Sequence, residues 1–190
     1  MDGIAWAASA MEAARSRLDI ATENLANVST DGFSRHDARG FLTALGVRVT
    51  AVASPTHGAL RRTGRPDDLA IVGDGSFRVR DARGRVEHTR AGAFSRDRDG
   101  HLRDGADRLL LDAHGRPIVV RGDRSIQARQ VGLPAGSTLE SGALETSSVD
   151  QISEMIDVLT AQRSYEGAEK IVAAIDGTRQ KSADDVARLK

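Results

Sequence analysis

Residues 3–27 read GIAWAASAMEAARSRLDIATENLAN, and this stretch decides the fold. Large apolar residues recur every seven positions, and small ones repeat the interval three residues later: Ile4, Met11, Leu18 and Leu25, then Ala7, Ala14, Ala21 and Val28. Such a heptad is typical of a helix that buries one stripe against other helices. It predicts a helix over 3–27 with a seam of small residues, ended by the polar run NVSTDG at 27–32.

A second amphipathic stretch extends from about residue 149 to residue 175. Its apolar spacing slips by one residue between two halves, which predicts a local change of winding; the stripe is Val149, Ile152, Ile156 and Leu159, then Tyr165, Ala168, Val172 and Ile175. Ser148 and Gln151 have capping-box spacing, so the helix is expected to begin near Ser147 or Ser148. The two terminal helices can pair with each other if the chain folds back, or with helices of other copies.

The segment between the helices is dense in Gly, Asp and Arg and has no helical period. Short alternating runs separated by Asp-Gly-type turns predict an antiparallel β domain over 69–135. Within it, residues 77–80 and 86–89 are expected to pair across the turn at 81–84. Alternation at Val47, Val49 and Ala51 predicts a strand within an extended arm over 31–68, and 136–146 is expected to be a linker. The predicted fold class is α+β: terminal helices at 1–30 and 147–190 form a coiled-coil-like layer and carry a small central β domain.

The composition excludes several classes of function. Lys+Arg and Asp+Glu are equal at 27 each, which argues against a nucleic-acid binder that neutralises phosphates globally. Aromatic residues make up 3%, so burial is expected to be aliphatic or supplied by partners. The absence of cysteine excludes disulfides and thiolate metal sites. Neither a membrane-spanning helix nor a cleaved signal peptide is expected from the pattern of apolar residues.

Sequence motifs for metal binding, phosphate binding or catalysis are weak in this chain. Asp97-Arg98-Asp99-Gly100 resembles the opening of a calcium loop, but its twelfth position is Arg108 instead of Glu, so a hairpin turn is predicted. Gly73-Asp74-Gly75 lacks the third glycine and the lysine of a phosphate loop. The five histidines are not at metal-ligand spacing. We therefore expect no catalytic, cofactor-binding or metal-binding residues. A carboxylate pair for glycoside cleavage is defined by distance, so a peptidoglycan-cleaving or carbohydrate-binding protein is the alternative.

Four stretches of sequence resemble the bacterial flagellar axial proteins, specifically the rod and hook basal-body family. They are ATENLANVSTDGF at 21–33, DLAIVGDGSF at 68–77, TRAGAF at 89–94, and LETSSVD at 144–150 with AQRSYE at 161–166. They follow the family's order, although Ser148 replaces a usual Asn and Ser76 a common aromatic. The family-motif residues carried over are Asn24, Leu25, Ala26, Asn27, Thr30, Gly32, Phe33, Gly73, Asp74 and Gly75.

The resemblance implies a structural subunit of the flagellar rod, with terminal helices in an inner tube and the β domain in an outer layer. Implied partners are copies of itself, other rod proteins, the hook protein, the rings around the rod and the type III export apparatus. It also implies a basal-body location, export without signal cleavage, and no cofactor, nucleic acid or membrane insertion. The AQRSYE run resembles distal-rod members, whereas the Met1-Asp2 start and the short chain resemble proximal-rod members.

Under this interpretation the apolar stripes are contact surfaces between subunits. The expected packing residues are Ile4, Met11, Leu18, Leu25, Val28, Val149, Ile152, Ile156, Leu159, Tyr165, Val172 and Ile175. The competing interpretation is a self-contained adaptor whose two helices form an antiparallel pair.

Overall fold

The computed structural model describes residues 3–44, 46–122 and 126–188, so the Met1-Asp2 start lies outside the described residues. The predicted α+β class is confirmed. The elements follow the chain as α1 (Gly3–Ala26), β1 (His36–Thr43), β2 (Gly46–Ala53), β3 (Leu60–Arg62), β4 (Leu69–Val72), β5 (Phe77–Arg80), β6 (Val86–Thr89), β7 (Ser95–Arg96), β8 (Leu102–Arg103), β9 (Leu109–Leu110), α2 (Ala128–Val131), β10 (Thr138–Ser141), β11 (Ala143–Glu145) and α3 (Gln151–Arg188).

The chain divides into two compact units. The first, which we call the helical unit, contains α1, the β1–β2 hairpin and α3. The second, which we call the β unit, spans Asn27–Arg35 and Pro55–Val149 and contains the remaining elements. Each unit has its own buried apolar residues.

In the helical unit, α1 packs against α3. Two contacts fix the direction of the pair: Asn24 Nδ2 lies 3.2 Å from Glu154 Oε2, and a Cβ built on Gly3 would lie 3.7 Å from Ile175 Cδ1. The end of α1 therefore meets the start of α3, and the helices are antiparallel. In both contacts the two residue numbers sum to 178, so residues with sums near that value lie at the same level along the pair. The terminal helices thus pair within one chain.

The β1–β2 hairpin covers a further side of α1. Its strands are antiparallel, with His36 opposite Ala53 and Thr43 opposite Gly46. The strand predicted at 47–51 is confirmed as part of β2. Its partner β1 was not predicted, because HDARGFLT contains a glycine and no apolar alternation.

The start of α3 differs from the prediction. The helix begins at Gln151, and Asp150 Oδ1 accepts the N–H of Ile152 at 3.1 Å. Ser148 Oγ instead accepts the N–H of Arg35 at 2.9 Å. The capping box at Ser148 was therefore wrong, because a nearer carboxylate caps the helix. The helix continues beyond residue 175, where the predicted amphipathic stretch ends, to Arg188.

The β unit is built around a five-stranded antiparallel sheet of order β6-β5-β9-β8-β7. The predicted hairpin of 77–80 with 86–89 is confirmed as the β5–β6 pair. Phe77 and Phe94 meet edge to face, with ring centroids 5.3 Å apart, a favoured aromatic geometry. Around them lies an aliphatic core of Leu69, Ile71, Val79, Leu102, Leu110, Ile118, Val120 and Val131.

Residues 136–146, which the sequence suggests as a linker, carry β10 and β11. β10 pairs with β4, and β11 pairs with β3, both antiparallel. The strand β10 reads TLES, so only one of its residues is apolar. A strand with so few apolar residues gives little periodic signal, and its partner strand defines it.

Candidate functional site

The family-motif residues surround two buried polar junctions. The first lies in the helical unit at Asn24, which like Glu154 is 1% exposed. Asn24 Oδ1 accepts the N–H of His36 at 2.9 Å, and Nδ2 donates to the His36 carbonyl at 2.8 Å. The side chain therefore pairs with the His36 backbone as a neighbouring strand would. Nδ2 also donates to Glu154, so one amide joins α1, β1 and α3.

The second junction, which we call the Arg90 hub, lies in the β unit. Arg90 Nε donates to Glu145 Oε2 at 2.7 Å, and both side chains are buried. The remaining guanidinium nitrogens donate to three backbone carbonyls at 2.7–3.1 Å: those of Ile71, Gly73 and Gly75. Glu145 Oε1 accepts the N–H of Gly58 at 3.0 Å. A buried charge is stable only when paired and hydrogen-bonded, and this pair satisfies both conditions.

The hub explains the Gly73-Asp74-Gly75 motif. The loop directs carbonyl oxygens of both glycines at a guanidinium, whereas a phosphate-binding loop presents N–H groups. The glycines have φ of 97° and 114°, a region that residues with a Cβ rarely adopt. Asp74 itself projects outward and is exposed. The motif therefore has a structural role, which is to hold the Arg90 side chain.

Gly32 of the N-terminal motif belongs to the same region. Its N–H donates to the Glu145 carbonyl at 2.7 Å. Its φ is 71°, and a Cβ would lie 2.3 Å from the backbone nitrogen of Ala91. Next to it, Thr30 Oγ1 donates to Asn27 Oδ1 at 3.1 Å and the Phe33 carbonyl accepts the N–H of Ser148. Close approach of backbone to backbone explains why a glycine occupies position 32.

The predicted packing residues lie on different surfaces. A first group occupies heptad positions of α1 and α3, which pack against each other, and we call it the helix seam: Ile4, Ala7, Met11, Ala14, Leu18, Ala21 and Leu25 on α1, with Glu154, Val158, Ala161, Tyr165, Ala168, Val172 and Ile175 on α3. All of them are buried or half-buried. Val28 is half-buried and Val149 is buried, and both belong to the β unit.

A second group forms an exposed surface on α3, which we call the outer stripe. It comprises Ile152, Met155, Ile156 and Leu159, with 51–71% of each side chain exposed. At roughly 100° per residue, Ile152, Ile156 and Leu159 lie about opposite the Ala161 side of the helix. The slip in the apolar spacing therefore marks two faces of α3, and the predicted change of winding is not needed to explain it. In the described part of the chain, no helix is long and apolar enough to cross a membrane.

Four turns of the β unit share one hydrogen-bonding pattern. In each, an aspartate carboxylate accepts the N–H groups two and four residues later at 2.7–3.0 Å; the aspartates are Asp81, Asp97, Asp104 and Asp112. The fourth turn residue has positive φ and is Gly84, Gly100, Asp107 or Gly115. The carboxylate also meets a nearby Arg side chain at 2.7–3.2 Å in every case. The predicted hairpin turn at Asp97 is thereby confirmed.

These contacts lower the pKa of three turn carboxyls. Partial burial by itself raises the pKa of Asp81, but hydrogen bonds from Arg85 and the turn backbone outweigh it and lower the value below 3.8. The same balance lowers the pKa of Asp97, where the His101 backbone and the Arg103 side chain donate. Hydrogen bonds from the Arg116 backbone are the main cause of the lowered pKa of Asp112.

The Asp97 turn has the geometry of a possible cation site. Oxygens of Asp97 and Asp99 and a ring nitrogen of His101 lie within 4.8 Å of one another. However, both Asp97 oxygens already accept hydrogen bonds within the turn. The cluster is accounted for as turn chemistry.

Comparison with known proteins gives family matches for three segments of the chain. Residues 4–33 match the family model described as Flagella basal body rod protein. Residues 70–138 match the Flagellar hook protein FlgE/F/G D1 domain, and residues 140–185 match the Flagellar basal body rod FlgEFG protein C-terminal region. The chain belongs to the flagellar rod and hook protein family. The resemblance seen in the sequence motifs is confirmed.

Individual relatives in the rod and hook family extend over most of the chain. The flagellar basal-body rod protein FlgG of Agrobacterium fabrum is 28% identical, with 93% of this chain and 96% of the relative covered. FlgF of Caulobacter vibrioides is 28% identical, with 92% of each covered. The hook protein FlgE of Brucella abortus is 32% identical over 75% of this chain and 40% of the relative.

Among the described residues, four buried charged residues were absent from the predicted set: Asp68, Arg90, Glu145 and Glu154. Arg90 and Glu145 lie inside the TRAGAF and LETSSVD stretches, but their pairing across 55 residues has no local signal. Glu154 gave a signal that could have been used, because it occupies the heptad position shared by Ala161, Ala168 and Ile175. A charge in an apolar heptad position indicates a specific buried partner.

Proposed function

We propose that this chain is a structural subunit of the bacterial flagellar rod that assembles through its terminal helices. The outer stripe carries the proposal. The opposite side of α3 is already covered by α1, so the outer stripe is an additional apolar face. Burial of a Leu or Ile side chain contributes about 1.5–3 kcal/mol, which makes this face suited to a neighbouring subunit.

The proposal assigns a layer to each region. The helical unit, with α1, α3 and the β1–β2 hairpin, forms the coiled-coil-like inner tube, and the β unit forms the outer layer. Residues 136–146 carry β10 and β11 of the β unit, so they are not a connecting linker. Apart from Val28 and Val149, which belong to the β unit, the packing residues predicted from the sequence then divide into two classes. Members of the helix seam stabilise each subunit, and the outer stripe contacts its neighbours.

The same proposal excludes an enzyme and a cofactor. The four turn aspartates of the β unit hold turns and pair with arginines, so these carboxylates have a structural use. The alternative of a peptidoglycan-cleaving or carbohydrate-binding protein is not favoured by the family or by this geometry.

Its surroundings follow from the family. A rod subunit resides in the flagellar basal body and associates with other axial components. As finer proposals, we infer that the chain contacts the hook protein and the rings around the rod. We also infer that it passes through the type III export apparatus without signal cleavage and binds neither nucleic acid nor membrane. Its AQRSYE run supports a distal-rod-like position, with proximal rod as the alternative.

Ile156→Asp tests the proposal directly. Ile156 is exposed, so the variant is expected to retain the helical circular dichroism of the parent. A charge in a buried contact is strongly unfavourable, so its sedimenting polymer is expected to fall at least tenfold. Ser164→Asp, also exposed on α3 but away from the outer stripe, is the matched control and should assemble. Equal assembly of both variants would refute the assignment of the outer stripe.

A further inference from the structure

The two sides of the helix seam alternate large and small residues. On α1 the alternation is Ile4, Ala7, Met11, Ala14, Leu18, Ala21, Leu25, and on α3 it continues after Glu154 as Val158, Ala161, Tyr165, Ala168, Val172. Residues whose numbers sum to about 178 share a level. Leu18 therefore lies level with Ala161, and Met11 with Ala168. Large side chains meet small ones, as close packing requires.

This alternation also fits a second arrangement. If α3 slides by one heptad, Leu18 becomes level with Ala168 and Ala14 with Val172, so these large residues again meet small ones. The one level that joins two large residues moves from Ile4–Ile175 to Met11–Ile175. Burial of apolar surface is non-directional and roughly proportional to area. The apolar residues of the helix seam therefore discriminate poorly between the two registers.

Glu154 breaks the repeat. It is the one charged member of the helix seam, it is buried, and it accepts a hydrogen bond from the buried Asn24. In the shifted register Asn24 would be level with Ala161, which has no acceptor side chain. The Asn24 N–H that points at Glu154 would then be buried without an acceptor, and a buried donor left unsatisfied is penalised by its lost hydration. A polar residue in an apolar heptad is known to select register in this way.

We propose that the Asn24–Glu154 hydrogen bond fixes the register of the helix pair, and we call this bond the register pin. Asn24 is itself fixed by both backbone groups of His36, so it cannot follow α3 when that helix slides. The inference concerns the single chain and does not depend on assembly. In an assembly it has a consequence, because a fixed register holds the outer stripe at one height relative to α1 and the hairpin.

The chain has no cysteine, so introduced pairs can report the register. Ala168→Cys combined with Met11→Cys reports the native register, and Ala168→Cys combined with Leu18→Cys reports the shifted one. Seven helical residues span about 10 Å, and cysteines with Cα atoms more than about 7 Å apart do not form a disulfide. Each pair is equilibrated in a glutathione buffer at low protein concentration, and the intramolecular disulfide is quantified by mass spectrometry.

With Glu154 present, the shifted pair is expected to form at least tenfold less disulfide than the native pair. Glu154→Leu should raise the shifted disulfide at least tenfold, while Glu154→Gln, whose amide oxygen accepts the same hydrogen bond, should behave as the parent. An unchanged ratio in Glu154→Leu would show that chain connections set the register and would overturn the proposal. A Glu154→Gln variant that behaves like Glu154→Leu would overturn its hydrogen-bonding basis.

A relocated pin provides a test that does not depend on the folding of Glu154→Leu. The double variant Glu154→Ala with Ala161→Glu moves the acceptor by one heptad and keeps the charge of the chain. The proposal expects the shifted pair to become the major disulfide, because the new carboxylate meets Asn24 only after the slide. A major native disulfide in this variant would overturn the proposal.

Discussion

Replacing Arg90 by methionine tests the energetic role of the Arg90 hub. Methionine preserves most of the side-chain volume and removes the charge. The change leaves Glu145 buried without its cation and takes a donor from three backbone carbonyls. Removing one partner of a buried ion pair destabilises a protein by about 3–5 kcal/mol, and we expect Arg90→Met to lie in that range.

Arg85→Met is the matched control. Arg85 also pairs with a carboxylate, Asp81, at 2.7 Å, but 65% of its side chain is exposed. An exposed pair contributes little to stability, because water and salt screen both charges. The two variants therefore remove the same charge from the same unit and differ in burial.

The assay is urea unfolding of the full chain, which gives the midpoint for each variant. Hydrogen exchange at the amides of β4 and β5 then reports the loss of stability around the hub. With a urea dependence of about 2 kcal/mol per molar, Arg90→Met should lower the midpoint by about 2 M and Arg85→Met by less than about 0.5 M. If both midpoints fall equally, burial does not determine the strength of the hub and the reasoning is refuted. If adding Glu145→Leu to Arg90→Met recovers no stability, the stranded charge is not the cause.

Three further outcomes are expected. Gly84→Ala should lower the free energy of unfolding by about 1 kcal/mol, because the position has a positive φ. Gly100→Ala should lower it by about 2–3 kcal/mol, because its Cβ would also lie 2.8 Å from a carbonyl oxygen. Thermal unfolding compares the two variants, and equal losses of stability would contradict the role of this contact. Tyr165→Ala should destabilise the helix pair by about 3 kcal/mol through a cavity, and unchanged helical melting would exclude Tyr165 from the helix seam. Carboxyls with a lowered pKa stabilise the fold above their ordinary value of 3.8 and lose this contribution as the pH falls through the folded value. The free energy of unfolding should therefore decrease as the pH is lowered from 6 to 2.5. Replacing Asp81, Asp97 or Asp112 by Asn should make this decrease smaller, and an unaltered pH profile would contradict the prediction.

The sequence predicted those features that depend on local periodicity or local turns. The heptad predicted α1 to within one residue of its end. The Asp-Gly turns predicted the β5–β6 hairpin and the Asp97 turn. In these cases the residues that determine the structure lie within a few positions of one another, so the pattern is visible in the chain.

The features that the sequence did not predict depend on contacts between distant residues. β1 and β10 have few apolar residues and are defined by their partner strands. Arg90 and Glu145 lie 55 residues apart in the sequence and meet only in the folded structure. The apolar pattern of α3 was interpreted as one stripe with a slip, and only the position of α1 shows that it comprises a covered face and an exposed one. Residue periodicity carries no information about which stripe meets which neighbour.

The four aspartate turns also have a kinetic consequence. Each closes its hairpin through contacts only two to four residues apart, and hairpins of this kind form within about 1–10 μs. By contrast, Val72 pairs with Thr138 and Arg61 pairs with Leu144, and in each pair the two residues are far apart in the sequence. Searches over longer loops carry a larger entropic barrier. We therefore expect the hairpins of the central sheet to form early and the strands β3, β4, β10 and β11 to pair last.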